Sequence, residues 1–169
     1  MISQPACIIR SLLPILAAAV IVMGCSANET MPAGSLQRSG NIVRPVQVSM
    51  AGDRAAAIAL QQVGTPYRYG GKGPNGFDCS GLAYYSYSKA GKNIPRTTSG
   101  QWSGLLPVDS RSMRAGDLLF FNISGKMSHV GIYLGGGRFV HAPSSGKAVS
   151  VESLASDFYR DAFIRAGRP

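Results

Sequence analysis

Small and apolar residues repeat at helical spacing in the segment RAAAIALQQV, residues 54–63. Asp53 precedes this segment as a favourable N-cap, and Gly64 and Pro66 follow it as helix breakers. The pattern therefore predicts a first helix that begins after Asp53 and ends before Gly64.

A second helical pattern begins at Cys79, in the segment CSGLAYYSYSKA. Its apolar or aromatic residues stand at positions 79, 82, 83, 87 and 90, with Asp78 placed to cap the start and Gly91 to end it. Gly81 is expected to leave the first turn open to an approaching substrate. The preceding segment PYRYGGKGPNG has no helical period and predicts a loop rich in turns. Cys79 is therefore predicted to open a helix.

The second half of the chain changes to short runs that are typical of β-strands. After a short helix predicted near Thr97 or Thr98, these runs are DLLFF, HVGIYL, RFVHA and AFIRA. Helices followed by strands indicate an α+β fold with an antiparallel sheet.

The two histidines of the predicted domain are brought together by a predicted hairpin. If Gly135, Gly136 and Gly137 form a three-residue loop, His141 faces Gly131 on the neighbouring strand. Side chains alternate between the two faces of a strand, so His129 and His141 would lie on one face as diagonal neighbours. A loop that is longer or shorter by one residue would separate them.

The N-terminal apolar run SLLPILAAAVIVMGC, which follows Arg10, is too short for a permanent membrane span and indicates a secretory signal. Its end resembles the bacterial lipobox, in which the chain is cut before a lipidated cysteine, here Cys25. An ordinary signal peptide with an incidental cysteine is the alternative. We expect a signal peptide at 1–24, lipidated Cys25 with a flexible Ser-, Pro- and Gly-rich tether at 25–51, and one domain at 52–169.

Removal of Arg10 with the signal leaves 16 basic and 8 acidic residues, a net charge of +8. Such a charge favours an anionic partner. The basic residues are scattered singly and form no helix face interleaved with aromatic residues, which argues against nucleic acid. Carboxylate-bearing cell wall and acidic lipid remain as candidate partners, and a generally solvated basic surface without a specific partner is the alternative.

Cysteine usage leaves a single thiol in the mature domain. Cys7 departs with the signal and Cys25 takes the lipid, so Cys79 has no partner for a disulfide. A thiol attacks as its thiolate, and a helix N-terminus or a neighbouring imidazolium lowers its pKa. We expect Cys79 to be a nucleophile, His129 to take its proton and His141 to orient His129.

One cysteine and two histidines could instead bind zinc. Neither a second cysteine nor a His-x-x-x-His pair accompanies them. We therefore expect no metal and no cofactor.

Several separated blocks resemble the NlpC/p-sixty family of cell-wall cysteine peptidases. The blocks are GTPYRYGG, GFDCSGL, IPRTTSGQ, RAGDLLFF and SHVGIYLGGGRFVHAPSSG. The resemblance implies a papain-like core, in which the helix that carries the nucleophile packs on a small antiparallel sheet. It also implies hydrolysis of the peptide stems of peptidoglycan.

The resemblance also implies a role for each matching residue. Cys79 matches the nucleophile, His129 the base and His141 the polar residue that orients it. Tyr67 matches a tyrosine that binds the oxyanion or the substrate carbonyl. Asp78 and Ser80 match residues that line the substrate groove, although they could equally cap the helix.

The sequence thus predicts a lipid-anchored peptidoglycan endopeptidase that forms an acyl-enzyme. The expected protein is a monomer that binds no nucleic acid. Ser26 rather than aspartate follows Cys25, which resembles the sorting default to the outer membrane, facing the periplasm, in a cell with two membranes. In a cell with one membrane, the anchor is expected on its outer face. Two alternatives stay open. One is a noncatalytic wall-binding lipoprotein, and the other is an amidase or acyltransferase on the same fold.

Overall fold

The computed structural model describes residues 50–123 and 125–169. The predicted signal peptide, Cys25 and nearly all of the predicted tether lie outside these residues. Met50 and Ala51, which the sequence assigns to the tether, instead belong to the first helix. Within the described part of the chain, no helix is both long and apolar enough to cross a membrane.

The described residues form four α-helices: α1 Met50–Leu60, α2 Cys79–Lys89, α3 Thr98–Gly104 and α4 Asp157–Ala162. The predicted start of α2 is confirmed, with Asp78 as its N-cap. The predicted cap of α1 is wrong. Asp53 lies within its first turn, where a carboxylate still interacts favourably with the helix dipole. The short helix α4 has no counterpart in the prediction.

The main sheet has six strands in the order β3-β8-β4-β5-β6-β7, and every neighbouring pair is antiparallel. Its strands are β3 Leu106–Val108, β4 Leu118–Ile123, β5 Lys126–Gly135, β6 Arg138–His141, β7 Ser150–Ser153 and β8 Phe163–Arg168. A separate pair, β1 Lys72–Gly73 and β2 Gly76–Phe77, forms a small hairpin within the segment predicted as loop. The α+β architecture with an antiparallel sheet is confirmed.

Both faces of the sheet are covered. One face packs its buried residues against α1 and α2; these residues are Leu118, Phe120, Val130, Ile132 and Val140. The opposite face forms a second cluster beside α4, made of Leu119, Phe121, Tyr133, Phe139 and Ala166. Alternation along each strand thus gives the sheet two apolar sides, and α2 is held against one of them.

The β5–β6 hairpin differs from its predicted loop while keeping its predicted register. Gly136 and Gly137, with φ of +61° and +73°, form a two-residue turn, so that Gly135 pairs with Arg138. Tyr133 pairs with Phe139, which leaves Leu134 as the unpaired residue of a β-bulge. Beyond the bulge, Ile132 pairs with Val140, the register that the three-glycine loop also predicts. The pairing therefore keeps His129 and His141 on one face.

Candidate active site

Cys79 is held at the first turn of α2 by close backbone contacts. The Oδ1 atom of Asp78 accepts a hydrogen bond from the Gly81 amide at 2.6 Å. Gly81 lies so close to the Gly71 carbonyl oxygen that a Cβ atom at position 81 would overlap it. The interpretation of Gly81 as an opening for substrate is therefore wrong, because backbone from the preceding loop fills that space.

Arg96 ties this first turn to its surroundings. Its Nη1 and Nη2 atoms donate to the two carboxylate oxygens of Asp78 at 3.0 and 2.7 Å. Nη1 also donates to Ser80 Oγ at 3.0 Å, and Nη2 donates to the Gly71 carbonyl at 3.1 Å. Bidentate pairing of this kind fixes orientation as well as charge. Arg96 is not among the predicted site residues, because a lone arginine in a loop gives no indication of its partner.

The Cys79 sulfur faces α3 and the start of β5. Its Sγ atom lies 3.8 Å from Thr98 Oγ1 and 4.0 Å from the Ser128 carbonyl oxygen. The register between β4 and β5 shifts by one residue at this point: Phe121 pairs with His129, and Asn122 pairs with Met127. Ser128 is the extra residue of this bulge, a feature that commonly re-aims side chains next to active sites.

His129 and His141 are in direct contact. The Nε2 atom of His129 lies 2.7 Å from Nδ1 of His141. If His129 donates this hydrogen bond, its Nδ1 carries a lone pair and can accept a proton from the sulfur. The same contact uses one nitrogen of each ring, so the pair as arranged cannot bind one ion through these two atoms. Among the described residues, no group of three His, Cys, Asp or Glu side chains could hold a metal.

His141 is enclosed by groups that are not among the predicted site residues. Its Nε2 atom lies 3.4 Å from both Ser150 Oγ on β7 and the Tyr159 hydroxyl on α4. The rings of Phe139 and Tyr159 pack edge to face against it at 5.1 and 5.4 Å. His141 is 1% exposed, so these contacts fix its ring behind His129.

Burial governs the protonation of this group of residues. It lowers the pKa of His129 to about 4, and together with the neighbouring His129 it lowers the pKa of His141 to about 3. Burial also raises the pKa of the Cys79 thiol, against the opposing hydrogen bond from Thr98. These directions favour a neutral thiol and a neutral imidazole in the same cavity, whereas the position of Cys79 at a helix N-terminus predicts a lowered thiol pKa. Desolvation of the sulfur is the largest cause of the shift and exceeds the hydrogen bonds that favour the thiolate.

Two adjoining cavities form a groove across Cys79. One, of about 260 Å³, is bordered by Cys79 and His129, and the other, of about 450 Å³, by Asp78 and Ser80. Tyr67, Cys79 and Ser128 border both cavities. Burial and then the nearby Cys79 raise the pKa of Tyr67, which keeps its phenol protonated as a hydrogen-bond donor. The structure therefore brings all six predicted site residues of the domain together, with His141 behind His129.

The Thr98 hydroxyl offers a direct probe of the thiol. We expect Thr98→Val to raise the pKa of Cys79, because the side-chain hydrogen bond that stabilises the thiolate is removed. The rate of iodoacetamide alkylation, followed against pH, should then rise at a higher pH than in the wild type. Thr98→Ser keeps the hydroxyl and serves as the control. Identical profiles for Thr98→Val and wild type would contradict this assignment.

The buried histidines also predict how stability depends on pH. A histidine titrates near pH 6.5 in the unfolded chain but near 4 at position 129 in the folded protein, so the unfolded state binds more protons between these values. Stability is therefore expected to fall as pH falls from about 6.5 to about 4, by about 3 kcal/mol from His129.

Urea unfolding of wild type and His129→Gln at several pH values measures this effect. The variant should lose less stability across the same window, because it lacks the histidine that gains a proton on unfolding. The carboxylates also titrate there, but they are the same in both proteins, so the difference reports His129. Parallel stability curves for the two proteins would contradict the burial of a neutral His129.

Comparison with known proteins identifies relatives of this chain. The model of the NlpC/P60 family matches residues 64–168. The chain is 39% identical over 115 residues to the murein DD-endopeptidase MepH of Escherichia coli, covering 64% of this chain and 42% of that protein. It is 40% identical over 131 residues to the bifunctional muramidase/DL-endopeptidase CwlT of Bacillus subtilis, covering 75% of this chain and 39% of that protein. The chain thus spans less than half the length of these curated relatives.

Solved structures of NlpC/P60 proteins are also similar to this chain. A family protein from Bacillus cereus superimposes with a TM-score of 0.65 at 31% identity, covering 69% of this chain and 39% of the other. The NlpC/p60 domain of the peptidoglycan hydrolase SagA superimposes with a TM-score of 0.61 at 39% identity, covering 70% of this chain and 98% of that domain.

Proposed function

The chain belongs to the NlpC/P60 family, and from this premise we propose that it is a cysteine endopeptidase that hydrolyses amide bonds in the peptides of peptidoglycan. The observation that carries the proposal is the groove in which Cys79 and His129 border one cavity while His129 contacts His141 at 2.7 Å. MepH is named a murein DD-endopeptidase, CwlT a bifunctional muramidase/DL-endopeptidase and SagA a peptidoglycan hydrolase, and these names support this choice of substrate.

The first half of the reaction forms an acyl-enzyme. His129 Nδ1 takes the proton of the Cys79 thiol as the sulfur attacks the amide carbonyl, so the ion pair arises with the substrate in place. His141 accepts a hydrogen bond from His129 Nε2 and stabilises the imidazolium that forms. His129 then gives the proton to the leaving amine, the C–N bond breaks, and a thioester to Cys79 remains.

The second half of the reaction releases the acid. A water molecule gives its proton to His129 and attacks the thioester carbonyl. The carbon–sulfur bond then breaks, and the sulfur recovers the proton as the thiol. Each tetrahedral oxyanion would be held by the Cys79 amide, at the positive end of α2, and by the Tyr67 hydroxyl.

The acyl side of the substrate would occupy the cavity beside Asp78 and Ser80. Arg96 already neutralises the Asp78 carboxylate, so these residues serve the site by shaping the groove and capping α2. Both roles that the sequence leaves open for Asp78 and Ser80 are compatible with this arrangement.

The proposal includes an exported, lipid-anchored protein. Lipid on Cys25 would hold the domain at the membrane through the tether, and a +8 charge would favour anionic cell wall. We place the anchor at the outer membrane facing the periplasm. We also propose that the protein is a monomer and needs no cofactor.

Incubation of the purified full-length protein with purified sacculi tests the proposed reaction. We expect mass spectrometry to detect soluble fragments that carry a new amine and a new carboxylate within the peptide. Fragments cut between sugar and peptide would identify an amidase instead, and binding without release of fragments would identify a noncatalytic wall-binding protein.

A further inference from the structure

The cavity on the His129 side of Cys79 carries one permanent charge among the ten described residues that border it. Its border includes Ile123, Pro143 and Phe158, and the charged residue is Lys147, which is exposed at the rim. The histidine in this wall is neutral because burial lowers its pKa. The cavity therefore has a mixed polar and apolar border, on which Lys147 is the one permanently charged residue among those described.

The backbone of Lys147 is fixed relative to the groove. The Tyr67 amide donates to the Lys147 carbonyl at 2.8 Å, and the Val149 amide donates to the Thr65 carbonyl at 2.8 Å. The Lys147 amide in turn donates to the Ser144 carbonyl at 3.1 Å. Lys147 is thus attached to the segment that carries Tyr67, and its Cα atom has a defined position beside the reacting groups.

No carboxylate within the described residues forms an ion pair with Lys147. The ion pairs of these residues use Arg96, Arg160 and Arg168. The charge of Lys147 nevertheless reaches the site: after burial and His129, it is the next cause that lowers the pKa of His141. On the other side of Cys79, by contrast, the charges of Asp78 and Arg96 cancel.

The proposed reaction determines which part of the substrate meets Lys147. His129 gives its proton to the leaving amine, so the residue that carries that amine must lie over His129 and enter the cavity that His129 borders. The acyl side extends in the opposite direction, toward Asp78.

We infer that Lys147 binds a carboxylate carried by the residue on the amine side of the scissile bond, and so determines substrate specificity. This inference rests on the proposed function. The fitting substrate class is a peptide whose leaving amine and free carboxylate share one carbon. A bridge from D-alanine to diaminopimelate meets this condition, and amidation of that carboxylate removes the charge that Lys147 binds.

A binding experiment tests Lys147 separately from turnover. Two synthetic bridged peptides are used, identical except that the diaminopimelate carboxylate beside the bridge is free in one and a carboxamide in the other. In full-length Cys79→Ala protein, we expect calorimetry to give about twofold to fivefold tighter binding of the free carboxylate, the range for one charge pair at an exposed site. Adding Lys147→Met, which keeps the aliphatic length, should make the two affinities equal.

Lys92→Met is the matched control, since it removes the same charge beyond the opposite end of α2 and should keep the preference for the carboxylate. Equal binding of both peptides by the Cys79→Ala protein, or a preference that survives Lys147→Met, would overturn the inference. Wild-type turnover of the same peptides reports the proposed function independently. A Lys147-dependent binding preference without turnover would support the assignment of Lys147 and contradict the endopeptidase.

Discussion

Full-length protein carrying Cys79→Ala is expected to release fragments from purified sacculi at least about 10⁴-fold more slowly than wild type. Loss of the nucleophile removes the covalent intermediate, and in enzymes with this type of catalytic group what remains is the far smaller contribution of oxyanion stabilisation and binding. Fragment release is measured by quantitative chromatography of soluble muropeptides. Ser88→Ala, an exposed substitution in the last turns of the same helix, is the control and should leave the rate unchanged.

His129→Gln separates the base from the nucleophile. The glutamine can still donate toward His141, but it cannot exchange a proton with the sulfur, so we expect a loss of roughly 10²- to 10⁴-fold. Its thiol should still react with iodoacetamide, which shows that the groove is intact. If the Cys79→Ala protein kept a tenth of wild-type activity, the assignment of Cys79 as the nucleophile would be contradicted, whatever the activity of the His129 variant.

The second large effect is expected from Gly81→Ala, and it concerns stability. A general rule of helix propensity predicts that this change stabilises a helix by about 1 kcal/mol. At position 81, however, the added methyl group would overlap the Gly71 carbonyl oxygen and lie 2.9 Å from Asp78 Oδ1. Neither neighbour can move freely, because both are held by Arg96. We expect a net loss of about 2 to 3 kcal/mol in the free energy of unfolding.

Thermal unfolding measures this loss, which should appear as a melting temperature lower by about 10 °C. Gly73→Ala is the matched control, since a Cβ atom there meets nothing within 4 Å. A Gly81→Ala protein as stable as wild type would show that the loop carrying Gly71 can move away from α2. Activity should decrease together with stability, because a displaced first turn shifts the sulfur.

Local signals explain what the sequence could predict about the site. Helix α2 was predictable because its cap, its apolar spacing and Gly91, with φ of +85°, all act within a few residues. The histidine pair was predictable because strand alternation and a glycine turn determine which side chains share a face. The turn itself differed, but the bulge at Leu134 lies between the turn and the histidines and preserved their register.

The missed parts of the site depend on contacts between distant segments. Ser150 and Tyr159 belong to a four-residue strand and a six-residue helix, too short to show a clear period. Arg96 makes its contacts with residues 16 to 25 positions earlier in the chain. The depth of burial that raises the thiol pKa is likewise a property of packing, and composition does not encode it.

The contacts of Arg96 have a consequence for the small β1–β2 hairpin. Gly71 and Asp78 stand at its two ends; the Asp78 amide donates to the Gly71 carbonyl at 3.1 Å, and Arg96 binds both residues. The hairpin is thus closed at its base, while its tip at Pro74 and Asn75 is exposed. A longer or chemically different tip could therefore be accommodated without changing the position of the sulfur. The exposed part of the hairpin is thus separated from the nucleophile by the fixed contacts of Arg96.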